Sequence, residues 1–364
     1  MRCPPAEEVA ADRVKRRRYH RAIGRLRPLL VLALLASACG QTAGAHPAAV
    51  TRANSTAPSP APSSTPAEHV VTGPPRILPK APQFRPPSPA PRIPGGPNIS
   101  AYRGLGTWID VYSENDVYGP QAFGDAATTV RRMAADGVRT LFLETGSYRH
   151  PAVTFPAATS ALIRAAHAAG IQVVGWYLPL FRSVPYDLHE VLRTIRFRTA
   201  DGQRFDGFAL DIEADLVPPV ERIANFLRLS RELRAAVGPR YALGAIIPSP
   251  RGLIRVPSYW PGFPYDQLGK YYDVVLPMSY FTFHYHGAAV AGRYIRDNVE
   301  IIRRETGDPG IPIHVIGGIA GDMTAAETQA FVDAVRTEHI LGASLYEFPD
   351  TRADQWPILA PLRG

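Results

Sequence analysis

The chain reads as a (β/α)8 barrel, and three observations carry that reading. From Gly104 onward, short apolar runs alternate with segments of helical periodicity. Eight such strand–helix units in about 260 residues match the size and order of this fold. No Gly-rich phosphate turn follows the first apolar run, which continues into SENDVYGP. An open doubly wound sheet is the alternative, and one that bound a nucleotide would want that turn.

Before the barrel come two other segments. Residues 1–39 have the pattern of a secretion signal: a basic stretch, KRRRYHRAIGRLR, then the apolar run LLVLALLASA. That run suits a signal and is too short to span a bilayer. It closes on ASAC, which resembles the bacterial lipobox, with Cys39 as the lipidated residue. The expectation is an exported lipoprotein anchored to the outer face of the bacterial cell membrane, its membrane partner reached through that lipid. Residues 40–100 read as a disordered tether. Fifteen of the chain's 37 prolines fall between Gln41 and Ser100, with Ala, Ser and Thr between them. Such a composition buries too little apolar surface to offset ordering. Fully extended, at ~3.1 Å per residue, it reaches on the order of 190 Å.

Residues 101–364 form the expected barrel. Its strands are read at 106–112, 138–145, 171–180, 205–213, 241–248, 272–280, 311–319 and 342–348. Helical patterns such as DAATTVRRMAADG, FPAATSALIRAAHAAG and TAAETQAFVDAVRTEHIL lie between them, and Gly137, Gly170 and Gly238 serve as helix stops.

Charge excludes a nucleic-acid partner. Nine Lys/Arg and three acids precede Cys39, out of 40 and 32 in the chain, so the remainder holds 31 bases and 29 acids. A near-neutral body has no basic stripe for phosphates. The only other cysteine, Cys3, lies inside the signal, which leaves no disulfide and no thiol-based metal site or nucleophile. His284 and His286 sit in YFTFHYHG without a carboxylate-rich neighbour, so no metal and no cofactor are expected.

The informative stretch is RFDGFALDIEADL, residues 204–216. Side chains alternate along a strand. Phe208, Leu210 and Ile212 form a large apolar face that belongs under helices. Gly207, Ala209, Asp211 and Glu213 then face the lumen, with the two carboxyls at the C-terminal end, where barrels of this class place their chemistry. Partial desolvation and a neighbouring like charge raise one carboxyl pKa, as a general acid requires. Asp110, Glu144 and Glu347 lie near the ends of the first, second and eighth runs as candidate second carboxylates or substrate contacts. Carboxyl separation would distinguish retention from inversion. Trp108, Tyr112, Trp176 or Tyr177, Tyr280 and Tyr346 supply aromatic faces for a sugar, with Trp176 itself read as core. Arg149, in SYRHP, is placed to reach a hydroxyl or an anion.

DGFALDIE resembles the DGxDxDxE signature of family-18 glycoside hydrolases. The resemblance puts Glu213 on the catalytic acid and Asp211 on the substrate-orienting aspartate. LPMSYF, Leu276 to Phe281, is similar to the family's M-x-Y-D and makes Tyr280 the counterpart of its sugar-contacting Tyr. Ala209 and Phe281 stand where the family has aspartates. The resemblance implies a glycosidase acting on a polysaccharide or oligosaccharide, without strict N-acetyl specificity. A catalytically inactive carbohydrate-binding barrel is the second reading, and a barrel hydrolase of another chemistry, with a metal at His284 and His286, the third.

Overall fold

A computed structural model describes residues 96–111 and 124–363. The signal segment, Cys39, most of the tether and Tyr112 lie outside the described residues. The eight strands are β1 (Gly104–Ile109), β2 (Thr140–Ser147), β3 (Gln172–Leu178), β4 (Gly207–Asp211), β5 (Leu243–Pro248), β6 (Val274–Met278), β7 (His314–Ile319) and β8 (Gly342–Tyr346). They pair in parallel, each with the next, and β8 closes onto β1. Each expected apolar run overlaps one strand; β1 begins two residues before its run and β2 ends two residues after its own. The barrel is the fold, and the open doubly wound sheet is excluded.

The principal helices are α1 (Ala126–Ala135), α2 (Pro156–Ala168), α3 (Val184–Arg196), α4 (Pro219–Val237), α5 (Pro250–Arg255), α6 (Ala288–Thr306) and α7 (Ala325–Thr337). Their ends follow from local chemistry. The Asp125 side chain accepts from Thr128 N–H ahead of α1, and Thr324 and Glu327 form a reciprocal capping box at α7. Proline occupies the first turn of α2, α3, α4 and α5, where its missing N–H has no helical partner to lose. Gly137, Gly170 and Gly238 all take positive φ just past their helices, the conformation that Cβ disfavours.

Two apolar regions result. Outward side chains such as Phe208, Leu210 and Ile212 pack with the helices in a continuous outer core. Inward side chains fill the lumen: Tyr102, Trp108, Phe142, Val174, Trp176, Ala209, Leu276 and Ile316. The lumen has a floor. A 3-10 turn, Ser100–Tyr102, precedes β1 and inserts Tyr102, which is fully buried. Its hydroxyl donates to the Phe208 carbonyl at 2.8 Å. This plug accounts for the small residues low on the strands: a Cβ at Gly207 would lie 3.0 Å from the Tyr102 hydroxyl, and one at Gly244 2.9 Å from its ring. His314, also fully buried, donates from Nδ1 to the Tyr102 carbonyl (2.8 Å), which leaves Nε2 of the neutral ring to accept from Ser344 Oγ (3.0 Å). Ser344 in turn accepts from Trp108 Nε1 at 2.7 Å. A hydrogen-bonded column therefore runs from floor to mouth and fixes the plane of Trp108. Burial drives the His314 pKa down to about 4, so the ring is neutral at physiological pH.

Candidate active site

At the C-terminal end of β4, Asp211 continues the lumenal face of Ala209 and is only 5% exposed. Burial raises its pKa well above the carboxylate range, and the charges of Glu213, Glu144 and Asp110 add to the effect. Its Oδ1 has no hydrogen-bond partner among the described residues. Position 209, which would carry a buttressing carboxyl in the family signature, is a fully buried alanine inside the apolar lumen.

Glu213 lies two residues past β4 and is half-buried. The chain that carries it is held from outside. Tyr259 donates its hydroxyl to the Glu213 carbonyl at 2.5 Å. Arg222 of α4, buried with its guanidinium over the Trp260 ring at 4.1 Å, donates to the Tyr259 carbonyl at 2.8 Å. Tyr259 and Arg222 were not legible as site supports in the sequence, because the contact spans loops after β4 and β5.

The other acids converge on the same mouth. Glu144 on β2 accepts from the Val111 N–H at 2.8 Å, which ties it to the end of β1. Asp110 accepts a hydrogen bond from the Tyr346 hydroxyl. Glu347 follows β8 and is 4% exposed. Tyr280, just past β6, has its hydroxyl pKa pushed up by burial and then by the charges of Glu213, Asp211, Asp110 and Glu347. Tyr346 is likewise raised, by burial, Asp110, Tyr280 and Glu347. Each effect requires these groups to be near one another at the mouth.

Aromatic rings make the wall. The Tyr280 and Tyr346 centroids are 5.5 Å apart. Trp108 lies 6.2 Å from Tyr346 and 6.0 Å from Trp176, and stacks on Phe142 below at 4.3 Å.

Tyr177 is a correction: it does not reach the mouth. It belongs to the outer core, where burial and the nearby Asp187 and Glu190 raise its pKa. Strand parity requires this, since Val174 and Trp176 both face the lumen. Trp176 therefore takes the place assigned to Tyr177, with its Nε1 buried and no partner among the described residues. Phe281 also faces outward, packed with Tyr294, so its ring does not occupy the mouth. Arg149 lies over the Tyr148 ring. His284 meets Arg255 at 2.9 Å while His286 meets Glu327 at 3.7 Å, so the two histidines engage different partners. Among the described residues no three His, Cys, Asp or Glu groups are placed to share a metal ion.

No family model matches the sequence, and no curated protein matches it. Solved structures do match the fold. A chitinase from Chromobacterium violaceum aligns at 14% identity over 71% of this chain and 98% of that one, with a TM-score of 0.50. The spore cortex-lytic enzyme SleL of Bacillus cereus aligns at 9% identity over 72% and 76%, with a TM-score of 0.51. An endo-β-1,4-mannanase from Thermotoga petrophila aligns at 12% identity over the same shares, also at 0.51. The chain thus shares the (β/α)8 barrel fold of these enzymes.

Proposed function

We propose that this chain is an exported, lipid-anchored glycoside hydrolase acting on a cell-envelope or extracellular polysaccharide, with Glu213 as general acid/base and Asp211 as its partner. The observation that carries the reading is the β4 terminus: a half-buried Glu213 beside a buried Asp211 of raised pKa, at the mouth of a barrel walled by aromatic rings. Two interacting carboxyls at such a site share protons rather than ionise together. Glu213, the more exposed, gives its proton to the glycosidic oxygen as that oxygen's bond to the anomeric carbon breaks; the alcohol leaves, water adds to the anomeric carbon, and its proton returns to the Glu213 carboxylate. Positive charge develops on the sugar ring. The carboxyls of Asp110, Glu144 and Glu347 set a negative potential there, which stabilises that charge in a partly dehydrated site. Trp108, Trp176, Tyr280 and Tyr346 offer ring faces for pyranose stacking.

The test is reducing-end release from peptidoglycan, chitin oligomers, and α- and β-glucans, with wild type beside Glu213→Gln. The expected outcome is release from one substrate, reduced ~10²–10⁴-fold in the variant with no change in melting temperature. Anchoring rests on the sequence pattern at Cys39. Cys39→Ala is expected to move the protein from the membrane fraction to the soluble one.

The missing buttress at Ala209 favours a second reading, a carbohydrate-binding barrel without catalysis. Equal binding by wild type and Glu213→Gln, with no product from either, would establish it.

A further inference from the structure

We propose that the rim of the barrel beside Glu213, formed by the segments that follow β3, β4 and β5, docks on the surface of an anionic lipid bilayer. The starting point is where apolar side chains are left in water. Among the described residues five large ones are exposed: Tyr186, Leu216, Val220, Ile254 and Val256. Single apolar residues scattered over a surface need no explanation, but these are not scattered. Tyr186 lies in the first turn of α3, Val220 in the first turn of α4 with Leu216 just ahead of it, and Ile254 and Val256 at the end of α5. All five therefore stand at the mouth end, on three consecutive strand-to-helix connections. The opposite end of the barrel exposes none among the described residues. The three connections also form one packed unit. Asn225 of α4 donates to the Phe181 carbonyl after β3 at 2.8 Å, and the Phe181 ring meets Trp260, after β5, at 6.0 Å. Tyr259 reaches the Glu213 carbonyl from the same segment. The apolar tips are thus carried on a fixed platform.

The charge at this rim selects the partner. Over residues 179–186, 212–221 and 249–261 the fully exposed charged side chains are Arg182, Arg251 and Arg255, against one acid, Glu221. Neither Arg182 nor Arg255 has a carboxyl partner among the described residues; Arg255 meets the His284 ring at 2.9 Å. Arg251 pairs with Asp297 at 2.9 Å, both side chains well exposed. Such a surface pair contributes little, and a lipid phosphate can take the place of the carboxylate on the guanidinium fork. Aliphatic tips interleaved with arginine, as in Ile254-Arg255-Val256, are the pattern of a surface that enters the headgroup layer: the tips reach the acyl boundary while the guanidinium groups stay with the phosphates. Tyr186, with an apolar ring and a polar hydroxyl, suits the same depth. A protein partner would instead favour a continuous apolar centre from which charge is excluded. The proposed anchor at Cys39 keeps the domain within its tether's reach of such a surface.

The experiment uses the full-length chain with Cys3 and Cys39 replaced by alanine and one new cysteine carrying a nitroxide spin label. The label is placed at Ser183 or Ser258 on the rim, or at Asp201 in the turn before β4 at the opposite end; all three positions are exposed. The vesicles are of phosphatidylglycerol or of phosphatidylcholine. Relaxation of the label by oxygen, which enters lipid, is compared with relaxation by a water-soluble nickel chelate. On phosphatidylglycerol the rim labels are expected to become accessible to oxygen and protected from nickel, while the Asp201 label stays in water. Arg182→Gln, Arg251→Gln and Arg255→Gln together should lower the docked-to-undocked ratio on the order of 100-fold, at about fivefold per arginine, and added salt should act in the same direction. Leu216→Ser with Ile254→Ser should also free the rim. These side chains face water, so none of the variants opens the core. Rim labels that stay accessible to nickel on both vesicles overturn the proposal. Equal immersion of the Asp201 label overturns it as well, as does equal docking on phosphatidylcholine. A rim label immobilised without vesicles, with a dimer in sedimentation, overturns it in favour of contact between two copies of this chain. Because the chain tested lacks Cys39 and no sugar is present, each of these results is independent of the lipid anchor and of hydrolysis by Glu213.

Discussion

The floor and the mouth of the lumen are built from the same eight strands and are opposites in every other respect. At the floor, Tyr102, His314, Ser344 and Trp108 form a chain in which each polar group meets another. The mouth, a few residues further along the same strands, gathers carboxyls whose charges add to the burial that raises the Asp211 pKa, and leaves Asp211 Oδ1 without a donor among the described residues. The difference teaches a division of labour. The floor is optimised for a single packed state, as stability demands. The mouth is left incompletely satisfied, and such sites persist when binding or chemistry uses the deficit.

Substitutions that exchange these characters would break the comparison. The largest effect is expected at Gly342. A Cβ there would collide with the Tyr102 carbonyl and come within 2.6 Å of His314 Nδ1. Because backbone cannot move aside as a side chain can, Gly342→Ala is expected to destabilise by about 3 kcal/mol or more, read as a lower urea midpoint.

Next comes acid. His314 titrates at about 4 when folded and 6.5 when unfolded. Below pH 6.5 the unfolded chain takes a proton that the buried ring refuses, so stability falls as pH drops to about 4, by about 3 kcal/mol in all. His314→Gln should flatten that part of the curve, whatever it costs at neutral pH. A variant with an unchanged slope would mean that the ring is not neutral and buried as described.

The smallest effect, and one of opposite sign, is expected at the mouth. Asp211 has a raised folded pKa, so below about 4 it is neutral in both states and makes no difference. As pH rises beyond that, the unfolded chain ionises while the folded carboxyl resists, and folding is disfavoured. Asn does not titrate. Asp211→Asn should therefore gain stability relative to wild type as pH rises from 4 toward neutrality, while losing function. A loss of stability instead would make Asp211 part of the scaffold, like the floor.

Much of this contrast could be read before any coordinates. Apolar runs of strand length located all eight strands, because a barrel strand is buried on both faces and stands out from its polar flanks. Alternation placed Phe208, Leu210 and Ile212 outward and Ala209 and Asp211 inward, since parity is fixed once a face is buried. Parity was less clear where the apolar run gave no polar mark. WY in β3 offered two aromatic faces, and only the packing assigned Trp176 to the lumen and Tyr177 to the helices. His314 passed unnoticed in IPIHVIGGI because its partners, Tyr102 and Ser344, lie 212 and 30 residues away. The floor plug was invisible for the same reason. Nothing near Tyr102 in the chain states that Gly207, Gly244 and Gly342 leave room for it.

The hydrogen-bonded column has one more consequence. Of four tryptophans in the chain, Trp108 and Trp176 stand in the lumen near the mouth, while Trp260 lies under Arg222 and Trp356 packs on Phe348. Trp108 is held in one orientation by Ser344, which His314 also meets, and its ring centre lies 6.2 Å from that of Tyr346 at the mouth. The protein thus carries a native fluorophore rigidly coupled to its interior and adjacent to the barrel mouth. Ligand entry should change its emission through local polarity, with no label attached, and the lifetime before and after would report whether the surrounding packing had moved.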